Sequence, residues 1–147
     1  MRKIDLIVIH CSASRADRDF TETDLEMCHR RRGFNGIGYH FYIRKNGDIK
    51  TTRPIERIGA HAKGFNRTSI GICYEGGLDC HGRPADTRTE WQVHSMHVLV
   101  LTLLRDYPGC RVCGHRDLSP DLNGNGEIEP EEWVKACPCF DAEEEWA

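Results

Sequence analysis

The stretch TEWQVHSMHVLVLTLLRDYPGCRVCG, Thr89–Gly114, sets the fold class. Thr89 with Gln92 reads as a capping box, in which each side chain satisfies a backbone N–H that the first helical turn leaves free. Val93, Met96, Val100, Leu103, Leu104 and Tyr107 then recur at helical spacing, and Pro108-Gly109 ends the run. Val98, Leu99 and Leu101 widen the apolar surface, which predicts a helix buried on most sides. Arg111–Gly114 follows as a short strand that delivers His115.

Working outward, Ile4–His10 is apolar and β-rich and predicts a buried strand. Thr23 with Glu26 fits a second capping box, opening a helix that stops near Gly33, where Arg30, Arg31 and Arg32 complement the helix dipole. Tyr39–Arg53 reads as a hairpin about Asn46-Gly47. Ser69–Tyr74 is another short strand, closed by Gly76-Gly77. Strands mixed with helices over 147 residues predict one α/β domain, residues 1–147, built on one sheet.

Composition narrows the class. With 39% apolar and 29% charged residues, the chain can bury a core without disulfides. The net charge of −3 conceals a division: residues 1–116 carry +6, and residues 117–147 carry −9. A basic body suits an anionic polymer such as cell wall or nucleic acid, but a mixed solvated surface accounts for it as well, and no nucleic-acid partner is expected. The apolar start is interrupted by Asp5 and ended by His10, so synthesis in the cytoplasm without a signal peptide is expected. The longest apolar run, Val98–Leu104, is too short to span a membrane and contains Thr102, so no membrane insertion is expected. A monomer is the expected state. Eight cysteines in a chain of this size suggest reduced thiols with some metal ligation. Cys11, Cys28 and Cys73 read as small core residues.

The segment Gly114–Phe140, GHRDLSPDLNGNGEIEPEEWVKACPCF, carries two kinds of ligand chemistry. Soft donors flank it. His10 at the end of the first strand, His115 after the last, and Cys137 would make a three-ligand zinc site with a fourth position free for water. Cys110-x-x-Cys113 with Cys137-x-Cys139 would instead make a four-thiolate structural site. Ligand spacing does not choose between them. His94 and His97 share a helix face and read as surface or core residues, and His40 points away from Tyr39 as a structural residue.

Between the soft donors, Asp121–Glu132 matches the pattern D-x-[DN]-x-[DN]-G-x5-E throughout. Asp121, Asn123, Asn125, Glu127 through its carbonyl, Glu129 and a bidentate Glu132 would hold Ca2+, with Gly126 at the sharp turn and Pro130 starting a short exit helix. Calcium there would fix the path between His115 and Cys137 and so set Lys135.

Five blocks in this order, IVIHCSAS (7–14), GIGYHFYIRKNGDI (36–49), GAHAKGFNRTSIGICYEGGLD (59–79), GHRDLSPD (114–121) and KACPCFD (135–141), resemble the zinc-dependent N-acetylmuramoyl-L-alanine amidases, a family that includes bacteriophage lysozyme-type amidases and the related peptidoglycan recognition proteins. The resemblance covers nearly the whole chain. It implies an α/β fold with a single mixed central β-sheet flanked by helices, departing from the shorter phage relatives by the EF-hand-like loop near the C-terminus. It implies peptidoglycan as substrate, a cell-wall site of action, and cleavage of the amide between N-acetylmuramic acid and L-alanine. It maps the zinc ligands onto His10, His115 and Cys137, the catalytic pair onto Tyr39 and Lys135, and a groove-lining residue onto His61. The alternative is a non-catalytic receptor that binds wall fragments. Cys137 argues against it, because members without that thiolate tend to be receptors.

Overall fold

The computed structural model describes residues 2–147. Among these, the chain runs through β1 (Leu6–Cys11), β2 (Ser14–Arg15), α1 (Glu22–Arg31), β3 (Phe41–Ile43), β4 (Ile49–Thr51), β5 (Ser69–Tyr74), β6 (Gly77–Leu78), α2 (Glu90–Asp106), β7 (Arg111–Gly114) and α3 (Ala142–Glu145). β1 is buried along its whole length, as an apolar run covered on both faces should be. It pairs in parallel with β5 on one side and β7 on the other. β3 extends the parallel sheet beyond β5, and β4 returns antiparallel, giving a mixed sheet in the order β4-β3-β5-β1-β7. β2 and β6 form a separate parallel pair.

Strand alternation divides the core. Ile7 and Ile9 of β1, with Ile70 and Ile72 of β5, pack against Met96, Leu99, Val100 and Leu103 of α2. On the opposite face Leu25 of α1 meets Ile37, Tyr42 and Cys73. The hairpin turn docks on α2: Gly47 has φ +91°, and an added Cβ would lie 3.0 Å from Trp91 and Ser95. Glycine is therefore required there for conformation and for space. No helix among the described residues is long and apolar enough to cross a membrane.

Most of the expected elements form. Ser69–Tyr74 and Arg111–Gly114 are strands, the Asn46-Gly47 hairpin is present, and Thr89 with Gln92 caps α2. Three expectations are corrected. The N-cap of α1 is Thr21: its hydroxyl accepts the Asp24 N–H at 3.1 Å, and the Asp24 carboxylate accepts the Thr21 N–H at 2.9 Å. α2 is buried on one face only, because a single sheet covers it; Trp91, Val98 and Leu101 are exposed. Cys28 is exposed on α1, whereas Cys11 and Cys73 are buried as expected.

Candidate metal centre and groove

The carboxyl ends of parallel strands are where an open α/β sheet leaves a crevice. The β1/β7 register sets Ile9 beside Gly114, so the next residues, His10 near the end of β1 and His115 just past β7, come side by side. Their ring centroids are 4.6 Å apart. Cys137 arrives from the C-terminal segment. Its carbonyl accepts the Arg116 N–H at 2.8 Å, and the Tyr74 hydroxyl donates to the Pro138 carbonyl at 2.6 Å. These bonds tie the segment to β5 and to the turn after β7.

The potential donor atoms of His10, His115 and Cys137 all lie within 4.8 Å of one another, the one such group of His, Cys, Asp or Glu among the described residues. Nδ1 of His10 is 3.9 Å from Sγ of Cys137. With Zn–N near 2.0–2.1 Å and Zn–S near 2.3 Å, tetrahedral donors stand roughly 3.3–3.8 Å apart, so small side-chain movements would fit this set to zinc. The Cys11 N–H donates to Sγ of Cys137 at 3.2 Å, which fixes where the sulfur points. Burial, then the neighbouring His61, His115 and Lys135, hold His10 well below the ordinary histidine pKa; burial and Lys135 lower His115. Neutral imidazole is the form that ligates.

The four-thiolate alternative does not assemble. Cys113 is buried with Leu6, Val8 and Leu118, and the Cys110 thiol donates to the Ile4 carbonyl. Near the centre, the Cys11 thiol lies 4.0 Å from that of Cys139. Its hydrogen bonding with Cys137, with burial, pushes Cys11 up to about 12, so it stays a thiol at neutral pH.

The centre lies at the floor of a groove of about 600 Å³. Tyr39, His61 and Lys135 line it with the three donors, as do Arg32 and Phe34 on the outer wall. The Tyr39 ring is 4.8 Å from that of His10. Burial, then the thiols of Cys73, Cys137 and Cys11, raise Tyr39 well above the usual phenol range. Lys135 is exposed on the rim. His61 is buried beneath the groove surface and bonds His10 at 2.9 Å, a contact that sequence spacing gave no means of finding. His40 is structural, its Nδ1 accepting the Gly71 N–H at 3.0 Å. His29 similarly accepts the Gly38 N–H at 2.9 Å, next to Tyr39.

The acidic loop forms a compact turn. The Asp121 carboxylate accepts the N–H groups of Gly124 at 3.1 Å and Gly126 at 2.7 Å. Glu132 is buried and accepts from Asn123 at 3.2 Å, from Glu129 at 2.9 Å and from Leu122. Glu129 binds the side-chain amides of Asn123 and Asn125. Pro130–Glu132 is one 3-10 turn, the short exit expected of Pro130.

A mixed α/β sheet with two histidines and a cysteine converging at the ends of its central strands defines a class, an α/β domain whose groove holds three donors that could bind one metal ion. Residues 1–138 match the profile of the N-acetylmuramoyl-L-alanine amidase family, and the chain belongs to that family. Its enzymes hydrolyse the amide between N-acetylmuramic acid and L-alanine in peptidoglycan, and they are generally zinc-dependent. The chain is 34% identical over 140 residues to the endolysin of Klebsiella phage KP32, covering 95% of this chain and 83% of that protein. It is 33% identical over 142 residues to the endolysin of Escherichia phage T7, covering 97% and 85%. Among solved structures, the N-acetylmuramoyl-L-alanine amidase LysC from Clostridium intestinale URNW superposes with a TM-score of 0.73 at 28% identity, covering 99% of this chain and 83% of that one.

Proposed function

We propose that this amidase works as a single domain over residues 1–147, with Zn2+ held by His10, His115 and Cys137. The convergence of those donors at the groove floor carries the reading. Zinc supplies Lewis acidity toward a carbonyl and makes hydroxide accessible near neutral pH. The chain's own residues do the rest. The groove orients the muramyl peptide with its scissile amide over the donors. Lys135 brings a positive charge from the rim to the oxygen on which negative charge develops. Tyr39, kept as a neutral phenol by burial, donates its O–H in the same region and is a poor base. Substrate lies along the groove wall that includes His61.

Mass spectrometry of digested peptidoglycan, with matched zinc analysis, tests this. Expected products are stem peptides with a free L-alanine amine and glycan with a free lactyl carboxylate, from protein holding one zinc. Cys137→Ser is expected to lose both zinc and hydrolysis while the fold remains. Binding to the wall without release of fragments would establish the receptor alternative instead.

A second ion, Ca2+, is proposed for the loop through Asp121, Asn123, Asn125, Glu127, Glu129 and Glu132. The complete sequence match supports it, together with the positive φ of Gly126, +84°, at the sharp turn. Isothermal titration with calcium, in zinc-loaded protein, checks for a site that Asp121→Ala removes.

A further inference from the structure

Both ring nitrogens of His61 are engaged inside the protein. Nδ1 lies 2.9 Å from Nε2 of His10, and Nε2 lies 3.2 Å from Oγ of Ser69, which is completely buried. The His61 ring is seated by shape as well. An added Cβ on Gly71 would stand 2.7 Å from Cγ and Cδ2 of His61, and one on Gly59 would stand 2.7 Å from Cδ2. Both contacts are below the separation of real packed atoms, so these two glycines make the slot. The loop carrying the ring is pinned too, because the Asn66 side-chain oxygen accepts the N–H groups of His61 and Ala62, each at 2.9 Å.

The direction of the His10–His61 bond decides what His10 can do. If His61 Nδ1–H donated to His10, the proton of neutral His10 would sit on Nδ1, the atom facing Cys137, and that atom could not ligate. If His10 Nε2–H donates to His61, Nδ1 of His10 is left with a lone pair toward Cys137. His61 then carries its own proton on Nε2 and donates it to Ser69 Oγ. Only the second arrangement serves a metal centre, and it needs all three residues.

We propose that His61 is a positioning residue for His10: it accepts the His10 Nε2–H, and Ser69 holds it in the tautomer that can do so. Ligating histidines usually donate their second N–H to a carboxylate, a carbonyl or water, and such partners orient the ring. Here a neutral imidazole backed by a buried hydroxyl fills that role. This inference rests on the zinc reading of His10, His115 and Cys137.

The test measures zinc affinity by chelator competition in the full chain, His61→Leu, His61→Asn and Ser69→Ala, with kcat and KM on a soluble muropeptide. His61→Leu removes the acceptor at similar size, while Asn restores an oxygen near the Nδ1 position. His61→Leu is expected to weaken zinc binding roughly 10–100-fold, and His61→Asn to recover most of the loss. Ser69→Ala should weaken zinc by less. Unchanged zinc affinity with raised KM in His61→Leu would overturn the proposal and make His61 a substrate contact. If His61→Leu does not fold, ring 15N shifts in the unsubstituted, metal-free protein decide: an Nε2–H tautomer at His10 supports the proposal, and Nδ1–H overturns it. Unsubstituted protein that takes up no zinc ends the metal reading and this inference together, whereas zinc uptake unaffected by His61→Leu ends only the latter.

Discussion

Gly114 and Pro138 pack so closely that a Cβ on Gly114 would lie 2.5 Å from Cδ of Pro138. The glycine immediately before one donor thus makes room for the proline immediately after another. His115 and Cys137 are held at a common distance by this contact and by the Arg116–Cys137 backbone bond.

Gly114→Ala is therefore expected to push the Cys137 segment away from β7. Overpacking of this kind costs about 1–3 kcal/mol. Thermal melting of the metal-free protein should show the loss, and chelator competition should show weaker zinc binding. Wild-type values in both would mean that the C-terminal segment yields without disturbing the donors.

Lys135→Ala and Tyr39→Phe are expected to lower kcat while zinc content stays at one per chain. Loss of a single oxyanion donor typically costs 10²–10³ in kcat. Because burial keeps Tyr39 protonated, Tyr39→Phe should reduce the rate at every pH without removing a limb of the pH profile. A limb that disappears in Tyr39→Phe would make the phenol a base after all.

The sequence made the central sheet legible where local pattern and burial agree. β1 and β5 are buried throughout and mostly apolar because both faces are covered, and the α2 box has a single frame. The α1 box was misplaced by two residues because Thr21-Glu22-Thr23-Asp24 offers two threonines, and Asp24 serves as well as a glutamate in returning to the cap. Val98 and Leu101 read as buried because periodicity records apolar character but not which side meets a sheet. The donor set is harder still: His10 and Cys137 are 127 residues apart, and only the parallel register of β1 and β7 with the return of the C-terminal segment brings them together.

Acid should destabilise the metal-free protein well before its carboxylates titrate. Burial, then nearby arginines, lowers His29 to about 4; burial also lowers His40 to about 4. Each accepts a backbone N–H through Nδ1 and must be neutral to do so. In the unfolded chain both titrate near 6.5, so between about pH 6.5 and 4 the unfolded state binds more protons. Their full contribution is present above about pH 6.5 and is lost progressively as pH falls to about 4. The melting temperature of the metal-free protein is expected to fall steadily across this window; a flat profile from pH 7 to 4.5 would rule out neutral, hydrogen-bonded His29 and His40.

The acidic loop gives the last prediction. Glu132 is buried with its oxygens turned to the N–H groups of Asn123 and Glu129, and Asp121 turns to Gly124 and Gly126. Without a cation these backbone bonds, with those from the Asn123 and Asn125 amides to Glu129, hold three carboxylates, those of Asp121, Glu129 and Glu132, in one short turn against their mutual repulsion. Calcium would relieve that repulsion and stiffen the route from His115 to Lys135. A ligand binding only the folded state at 100 times its Kd stabilises by about 2.7 kcal/mol, so saturating calcium should raise the melting temperature by several degrees in zinc-loaded protein. Asp121→Ala should abolish the rise, and Glu132→Gln should weaken it while keeping most of the loop's hydrogen bonds. If full hydrolysis and an unchanged melting temperature persist in calcium-free, zinc-loaded protein and calcium adds nothing, the loop is a solvated insertion held by its own hydrogen bonds.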